Sequence, residues 1–258
     1  MTLTRRGFLA SLPVAAVAAC GVAPVPGAPG PVSSQVPQPV PPSAAATPAP
    51  APAPAPAPIG PARELVHATS GRGEVALTFH GAGDPGLARS ILTTLADRGA
   101  AVTVLAVGTW LAQYPDVAKL VTDHGHELGN HTWSHPTLTG LTTAAVRSEI
   151  ERCRDRIAAL TGGTGAFFRP SAAQHATPEV LRLAGAAGYP TVLSYDVDSR
   201  DFTDPGPVAI RRAVATSSAG SVVSMHLGHP GTLAALPGVL DDLGHRGLTP
   251  VTASALFR

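Results

Sequence analysis

Cysteine is scarce in this chain of 258 residues, which contains only two. Of these, only Cys153 lies in the part of the sequence that has the composition of a folded domain, so a disulfide bond within that domain is excluded. Charge is also scarce: 14% of the residues are charged, and the formal net charge is +1. Because this balance creates no basic field that would attract phosphates, we expect no nucleic-acid partner.

No apolar run near the N-terminus is long enough to span a bilayer as a helix. Arg5 and Arg6 precede a short run of apolar and small residues that ends at Cys20. These features are typical of an export signal, and the paired arginines resemble the twin-arginine type. The sequence VAAC resembles a lipobox, which predicts that Cys20 is lipidated. Residues 1–20 therefore predict an exported lipoprotein at the outer face of the cytoplasmic membrane or in the cell wall; a plain secretory signal is the alternative.

Charged residues are missing altogether from residues 21–62, which hold 15 of the 27 prolines. This composition forms no apolar core and favours an extended, polyproline-like chain. Such a segment would reach on the order of 100 Å. A proline-rich ligand for an adaptor domain is the competing interpretation, but the upstream export signal argues against a cytosolic adaptor. We predict a Pro/Ala-rich linker over 21–62 and one folded domain over 63–258.

The predicted domain alternates between strand-like and helical sequence. Apolar runs typical of strands are EVALTF, AVTVLAV, HELGNHT, TVLSYDVD and SVVSMH. Between them, LARSILTTLADRG, TTAAVRSEIERCRDRIAALTGG and TLAALPGVLDDLGHRG have helical periodicity and end at glycine. This alternation predicts an α/β fold with mainly parallel strands. In such folds, active sites lie beyond the carboxyl ends of the strands.

The sequence GNHTWSHP spaces His131 and His135 four residues apart. On a helical turn this spacing puts both imidazoles on one face. Two histidines placed in this way can share one metal ion, such as zinc. A pair of capping or core histidines is the alternative.

Three other strand ends carry polar side chains. His226 ends an apolar strand, and histidine is the side chain most easily tuned for proton transfer near neutral pH. Asp196, Asp198 and Asp201 cluster at another strand end, where a carboxylate could hold His226 in one tautomer; for Asp201 we expect a capping role instead. Arg169 follows a short aromatic strand in FFRP, where it could orient a carboxylate or a substrate oxygen.

The ordered motifs LTF, GHELGNHTWSHP, FFRP, YDVDSRDF and MHLG…TLAALP resemble those of the polysaccharide deacetylases, carbohydrate esterase family four, which share the NodB-homology domain. The resemblance extends over residues 74–252. It implies a deformed (β/α) barrel that holds a divalent metal, usually zinc. It also implies a hydrolase that removes N-acetyl or O-acetyl groups from polysaccharides such as peptidoglycan or chitin.

The resemblance assigns roles to five residues. His131 and His135 match the two histidines that bind the metal. His226 matches the general acid that protonates the leaving amine, and Asp198 matches the carboxylate that tunes it. Arg169 matches the arginine that tethers the catalytic base.

The first motif departs from the family pattern. Where the family reads TFDDGPDP, this chain reads TFHGAGDP, so His80 occupies the place of the general base and Gly81 that of the metal-binding aspartate. Catalytic zinc sites typically use three protein ligands, and a general base contributes about 10²–10⁴ in rate. His80 could complete a three-histidine metal site, or it could act as the base while Asp84 or water fills the ligand gap.

We expect a metal-dependent deacetylase of a cell-wall or environmental polysaccharide. The alternatives are a glycan-binding pseudoenzyme at the cell envelope and hydrolysis of an amide that is not part of a sugar. Trp133 and Tyr195 could stack on sugar rings, although core packing competes for at least one of them. Phe202 stands where the family usually has tryptophan, and Leu227 where an aspartate often follows the histidine.

Overall fold

The computed structural model describes residues 60–258; the predicted export signal, Cys20 and most of the predicted linker lie outside the described residues. The strands in this part of the chain are β1 (Arg63–Leu65), β2 (Glu74–Gly81), β3 (Thr103–Ala106), β4 (Glu127–Asn130), β5 (Thr191–Leu193), β6 (Val197–Asp198), β7 (Val222–His226) and β8 (Thr249–Pro250). The α-helices are α1 (Pro85–Asp97), α2 (Gly108–Gln113), α3 (Pro115–Asp123), α4 (Thr143–Thr161), α5 (Pro178–Ala186), α6 (Pro207–Val214), α7 (Pro230–His245) and α8 (Ala253–Leu256).

The strands pair in parallel, in the order β4–β3–β2–β7–β6, with β8 beside the start of β2. A second parallel pair joins β1 to β5. Phe168 forms single bridges to Asn130 at the end of β4 and to Val192 in β5. These bridges connect the two sheets through single contacts. The predicted α/β fold with mainly parallel strands is confirmed.

The central strands are apolar on both faces because one packs against helices and the other packs with Phe167, Leu193 and α8 in a second apolar cluster. In β2, Val75, Ala76, Leu77 and Phe79 have no exposed surface. The main apolar cluster packs β2, β3 and β7 against α1 and α7, among other elements. Burial on both faces explains why these strands appear in the sequence as continuous apolar runs without polar alternation.

Two predicted strands differ from the structure. The run TVLSYDVD divides into β5 and β6 because the chain changes partner: the Ser194 amide donates to Leu65, whereas the Asp196 amide donates to Val222. The aromatic strand predicted in FFRP is reduced to the single bridges of Phe168. No helix between residues 60 and 258 is long and apolar enough to cross a membrane.

Candidate functional site

The site lies at the carboxyl ends of β2, β4 and β7, at one edge of the sheet. In the parallel register of β2 and β7, His80 is paired directly with His226. His131 follows the last residue of β4, which β3 and β2 separate from β7. The sheet therefore brings together three histidines that are far apart in the sequence, at the edge where we expect an active site.

A chain of side-chain hydrogen bonds connects four residues of this site. An Arg169 guanidinium nitrogen lies 3.3 Å from Nε2 of His80, and Nδ1 of His80 lies 2.9 Å from Nε2 of His226. Nδ1 of His226 lies 2.7 Å from the Asp201 carboxylate. The contact between Arg169 and residue 80 that the family resemblance implies is present, with a histidine in place of the carboxylate.

The partners in this chain fix the tautomer of each histidine. A guanidinium can only donate, so Nε2 of His80 accepts from Arg169 and the ring proton sits on Nδ1. That proton is donated to Nε2 of His226, whose own proton on Nδ1 is donated to Asp201. All four ring nitrogens are therefore engaged within the protein. Burial lowers the pKa of His80 well below its ordinary value, and neighbouring His131 and Arg169 lower it further, which keeps the ring neutral.

The carboxylate that holds His226 is Asp201, so the expectation that Asp198 does so is wrong. Asp201 has no exposed surface; its carboxylate also accepts from the backbone amide of His226 and from the Thr232 hydroxyl, at 2.8 and 2.6 Å. Burial disfavours the charge, but the hydrogen bonds from His226 and Thr232 lower the pKa of Asp201 below its ordinary value overall. Asp198 instead accepts from the Arg200 amide at 2.8 Å.

His131 and His135 lie in a loop and not on the helical turn that their spacing suggested. Thr132 and His135 both have left-handed backbone conformations, with φ of 67° and 60°. The side chain of Asn130 orders this loop by accepting from the Thr132 amide at 2.9 Å. The two imidazoles are nevertheless close, with ring centroids 4.8 Å apart, and the His131 ring stacks on that of His80 at 4.2 Å.

His131 has the features of a metal ligand. Its Nδ1 donates to the Arg169 carbonyl at 3.0 Å, which leaves Nε2 with a free lone pair. That atom is buried and has no hydrogen-bond partner among the described residues. Burial lowers the pKa of His131 well below its ordinary value, so the ring is neutral, as a ligand must be.

A complete catalytic metal site is missing from residues 60–258. No group of three or more His, Cys, Asp or Glu side chains in this part of the chain could hold a metal ion. His80 does not supply the third ligand, because both of its ring nitrogens are engaged by Arg169 and His226. Asp84 does not fill the gap either, since its carboxylate caps α1 by accepting from the Leu87 amide at 2.8 Å. These residues do not fit the metal centre that the family resemblance implies.

The backbone at Gly81 leaves little room for a side chain. A Cβ atom there would lie 3.0 Å from both Cα of Ala106 and Cγ1 of Val104, and 3.1 Å from Cβ of Ala106. These atoms belong to β3, the neighbouring strand. The packing of β2 against β3 therefore crowds the place of the expected metal-binding aspartate.

Arg169 is the largest side chain with no exposed surface near the site. It donates to the carbonyls of Leu193 and Ser194 at 2.7 and 3.2 Å in addition to its contact with His80. Burial lowers its pKa from 12.5 to about 9, so the guanidinium stays charged at neutral pH. It is a fixed cation behind His80, separated from the cleft.

A cavity of about 250 Å³ opens over the histidines. Its lining combines polar groups with an aromatic rim, and consists of His80, His135, Ala172, Ala173, Gln174, Tyr195, Asp198, Phe202, Ser224 and His226. Phe202 is 45% exposed and its ring centroid lies 5.4 Å from that of His226. Of the two aromatics expected to contact a sugar, Tyr195 lines this cavity.

Trp133 is not part of the cavity lining. Its ring packs so closely on Gly108 that a Cβ there would lie 2.4 Å from it. The Arg152 guanidinium covers the ring, with its central carbon 4.3 Å from the ring centroid. Trp133 therefore packs against Gly108 and Arg152, and its contact with a sugar stays a prediction.

Asp201 was named from the sequence but was assigned a capping role, and other site residues were missed altogether. Asp201 immediately precedes Phe202, which stands where the family usually has tryptophan, and this adjacency was the signal that could have identified it. Gln174, Ser224 and Thr232 have no comparable signal, because only the fold brings them to the cleft or to Asp201.

Comparison with known proteins identifies relatives over most of the described domain. A family model for polysaccharide deacetylase matches residues 67–192. A peptidoglycan-N-acetylglucosamine deacetylase of Bacillus cereus is 30% identical over 189 residues, which cover 71% of this chain and 88% of that protein.

Two solved structures resemble this fold. One is a mutant, with restored enzymatic activity, of a family 4 carbohydrate esterase pseudoenzyme from Bacillus anthracis. It has a TM-score of 0.71 and 25% identity, and the match covers 77% of this chain and 72% of that chain. The other is a family 4 carbohydrate esterase from Streptomyces lividans in complex with acetate, with a TM-score of 0.64 and 34% identity, covering 68% of this chain and 90% of that chain.

Proposed function

We propose that this chain, which belongs to the polysaccharide deacetylase family, carbohydrate esterase family four, is a catalytically impaired member of that family. Its domain binds a cell-envelope amino-sugar polysaccharide in the cleft over His80 and His226. The observation that carries this proposal is the continuous chain of hydrogen bonds that runs from Arg169 through His80 and His226 to Asp201. It leaves neither His80 nor His226 with a ring nitrogen free for a water molecule, a metal ion or a leaving group.

The cleft has the features that bind a sugar ring. Its cavity of about 250 Å³ is lined by hydrogen-bonding groups of Gln174, Tyr195 and Asp198. The exposed ring of Phe202 at the rim offers an apolar surface for a sugar face. The deacetylase of B. cereus named for peptidoglycan N-acetylglucosamine supports an amino-sugar polymer as the ligand.

The cellular setting is part of the proposal. Arg5, Arg6 and Cys20 predict export and a lipid anchor, and residues 21–62 predict an extended linker. We propose that the linker holds the domain away from the outer face of the cytoplasmic membrane, within reach of cell-wall glycan.

The test compares binding with turnover in the purified full-length chain. Chitin oligosaccharides and peptidoglycan fragments are titrated by calorimetry, and acetate release is measured with and without added zinc. We expect saturable binding that Phe202→Ala weakens, and acetate release no faster than that of a His131→Ala variant. Absence of binding to every glycan contradicts the proposal.

Metal-dependent deacetylation is the second candidate, and the unpartnered Nε2 of His131 favours it. His131 and His135 would offer a metal two protein ligands, one fewer than catalytic zinc sites typically use. One pseudoenzyme of this family, from B. anthracis, regained enzymatic activity in a mutant form, which supports the view that this fold can recover activity. Zinc-stimulated acetate release that is lost in His131→Ala would favour this candidate.

A further inference from the structure

Asp198 points into the cleft with part of its carboxylate unused. It lines the cavity together with His80 and His226. One oxygen accepts from the Arg200 amide at 2.8 Å, and the other has no hydrogen-bond partner among residues 60–258. The side chain is half-buried. A partly desolvated carboxylate with a free oxygen is a strong acceptor for a charged donor.

Two other charged groups near the cleft, Arg169 and Asp201, are hidden from a ligand. Arg169 has no exposed surface, and its guanidinium is held by two backbone carbonyls and His80. Asp201 is equally buried, beneath His226. Apart from the histidines, Asp198 is therefore the one acidic or basic side chain that lines the cavity in the described part of the chain.

In the described part of the chain, no lysine or arginine side chain lines the cavity to offset this carboxylate. Burial, followed by the charge of Asp198, raises the pKa of Tyr195, so its hydroxyl stays protonated. The cleft thus presents one negative charge, hydroxyl and amide groups, and the exposed Phe202 ring.

We propose that this cleft prefers an amino-sugar polymer with free amino groups over its N-acetylated form, and that Asp198 is the specificity-determining residue. An acetamide is neutral, whereas a protonated amine forms a charge-assisted hydrogen bond with a carboxylate. This inference rests on the proposed glycan binding and deepens it. The reaction that supplies such a ligand is the removal of acetyl groups from an N-acetylated polysaccharide, so the domain would bind the product of an active deacetylase.

The test compares two probes of equal length on the purified full-length chain: a glucosamine tetramer and an N-acetylglucosamine tetramer. Affinities are measured by calorimetry in mildly acidic buffer, where the free amines are protonated. We expect the glucosamine tetramer to bind about five- to tenfold more tightly. Raising the salt concentration reduces this preference, because the charge pair is partly exposed to solvent.

Asp198→Asn is the informative variant. Its amide oxygen can still accept from the Arg200 amide, so the loop is retained while the charge is removed. We expect it to abolish the preference, so that the affinities for the two tetramers come within twofold of each other. Asp204→Asn is the matched control: Asp204 is a nearby acid outside the cavity lining, with φ of 47°, which asparagine tolerates.

The outcomes separate this inference from the proposed function. Equal affinity for both tetramers, or a preference for glucosamine that survives in Asp198→Asn, overturns the role of Asp198 while glycan binding stands. Binding of the acetylated tetramer alone also overturns it. Failure to bind either tetramer overturns the inference and the proposed function together.

Discussion

Nδ1 of His80 lies 2.9 Å from Nε2 of His226, and this contact ties the residue that replaces the family's general base to the residue that matches its general acid. In this geometry Nε2 of His226 accepts the proton that His80 donates from Nδ1. The lone pair of His226 is therefore not available to a reacting group.

Zinc affinity should depend on His131 and not on His80. The lone pair of His131 Nε2 has no partner among the described residues, whereas both His80 nitrogens are engaged. We expect calorimetry of the purified full-length chain to show weak zinc binding that is unchanged within twofold in His80→Ala and lost in His131→Ala. Tight binding that collapses in His80→Ala would instead mean that His80 turns onto the metal and completes a three-histidine site.

Adding a side chain at position 81 should destabilise the fold. A Cβ on Gly81 would lie 3.0 Å from Val104 and Ala106, closer than ordinary packing contact. We expect Gly81→Ala to lower the free energy of unfolding in urea by about 1–3 kcal/mol. Gly163→Ala, at a site where a Cβ meets nothing within 4 Å, is the control. Equal stability of the two variants would show that β2 and β3 separate easily at this point.

Restoring both family carboxylates should not restore turnover unless space is made for them. His80→Asp with Gly81→Asp supplies the missing groups, but the second side chain meets Val104 and Ala106. We expect faster acetate release from the N-acetylglucosamine tetramer with zinc when Val104→Ala and Ala106→Gly are added to the pair. Full activity of the double variant alone would contradict this steric argument.

Removal of the Asp201 charge should weaken the fold at neutral pH. Asp201 is fully buried and accepts hydrogen bonds from the ring and amide of His226 and from Thr232. We expect Asp201→Asn to lower the free energy of unfolding by about 1.5–3 kcal/mol. Because the pKa of Asp201 is lowered in the folded state, its contribution is present above the unfolded pKa of about 3.9 and is lost as the pH falls further.

The comparison with Asp198→Asn completes this test. Asp198 is half-buried, and an asparagine there keeps the bond from Arg200, so we expect a much smaller loss of stability. A similar loss in both variants would mean that Asp201 is not the principal support of His226.

Acidification should destabilise the metal-free protein through buried histidines outside the cleft as well as within it. His126 is 5% exposed, and burial lowers its pKa below the ordinary value of about 6.5. The unfolded chain therefore binds more protons below that pH, and stability falls by up to about 1.4 kcal/mol per pH unit for each such histidine.

The variant His126→Gln isolates one of these contributions. Glutamine does not titrate and can still donate to the Leu92 carbonyl that His126 contacts at 3.3 Å. Urea unfolding between pH 5 and pH 8 should give a shallower slope for the variant below about 6.5 and parallel curves above about 7.5. Identical slopes throughout would show that His126 does not contribute to the pH dependence.

The sequence predicted the strands and helices whose apolar pattern is strong. The continuous runs of β2, β3 and β7, and the long periodic helix α4 with its cap at Thr142 and its stop at Gly162, were identified within a few residues. The short helices α2, α3, α5 and α6 were missed because their apolar faces are only two or three residues long. In α5, the sequence Thr177-Pro178-Glu179 carried a start signal that could have been used.

The sequence predicted which residues gather at the candidate site more reliably than it predicted the hydrogen bonds between them. His80, His131, His226 and Arg169 come together because parallel strands end at one edge, which a sequence pattern can indicate. The partner of His226 could not be obtained in this way. Asp198 and Asp201 are three residues apart, and the choice between them depends on the turn at Arg200, whose left-handed φ of 55° no spacing rule predicts.

The contact of Gly81 with β3 bears on how this sequence could change. Val104 and Ala106 crowd the space that a side chain at position 81 would take. A single change to aspartate would meet these atoms, so a carboxylate there calls for compensating changes in two strands. The absence of a side chain at one position thus makes its restoration depend on the neighbouring strand.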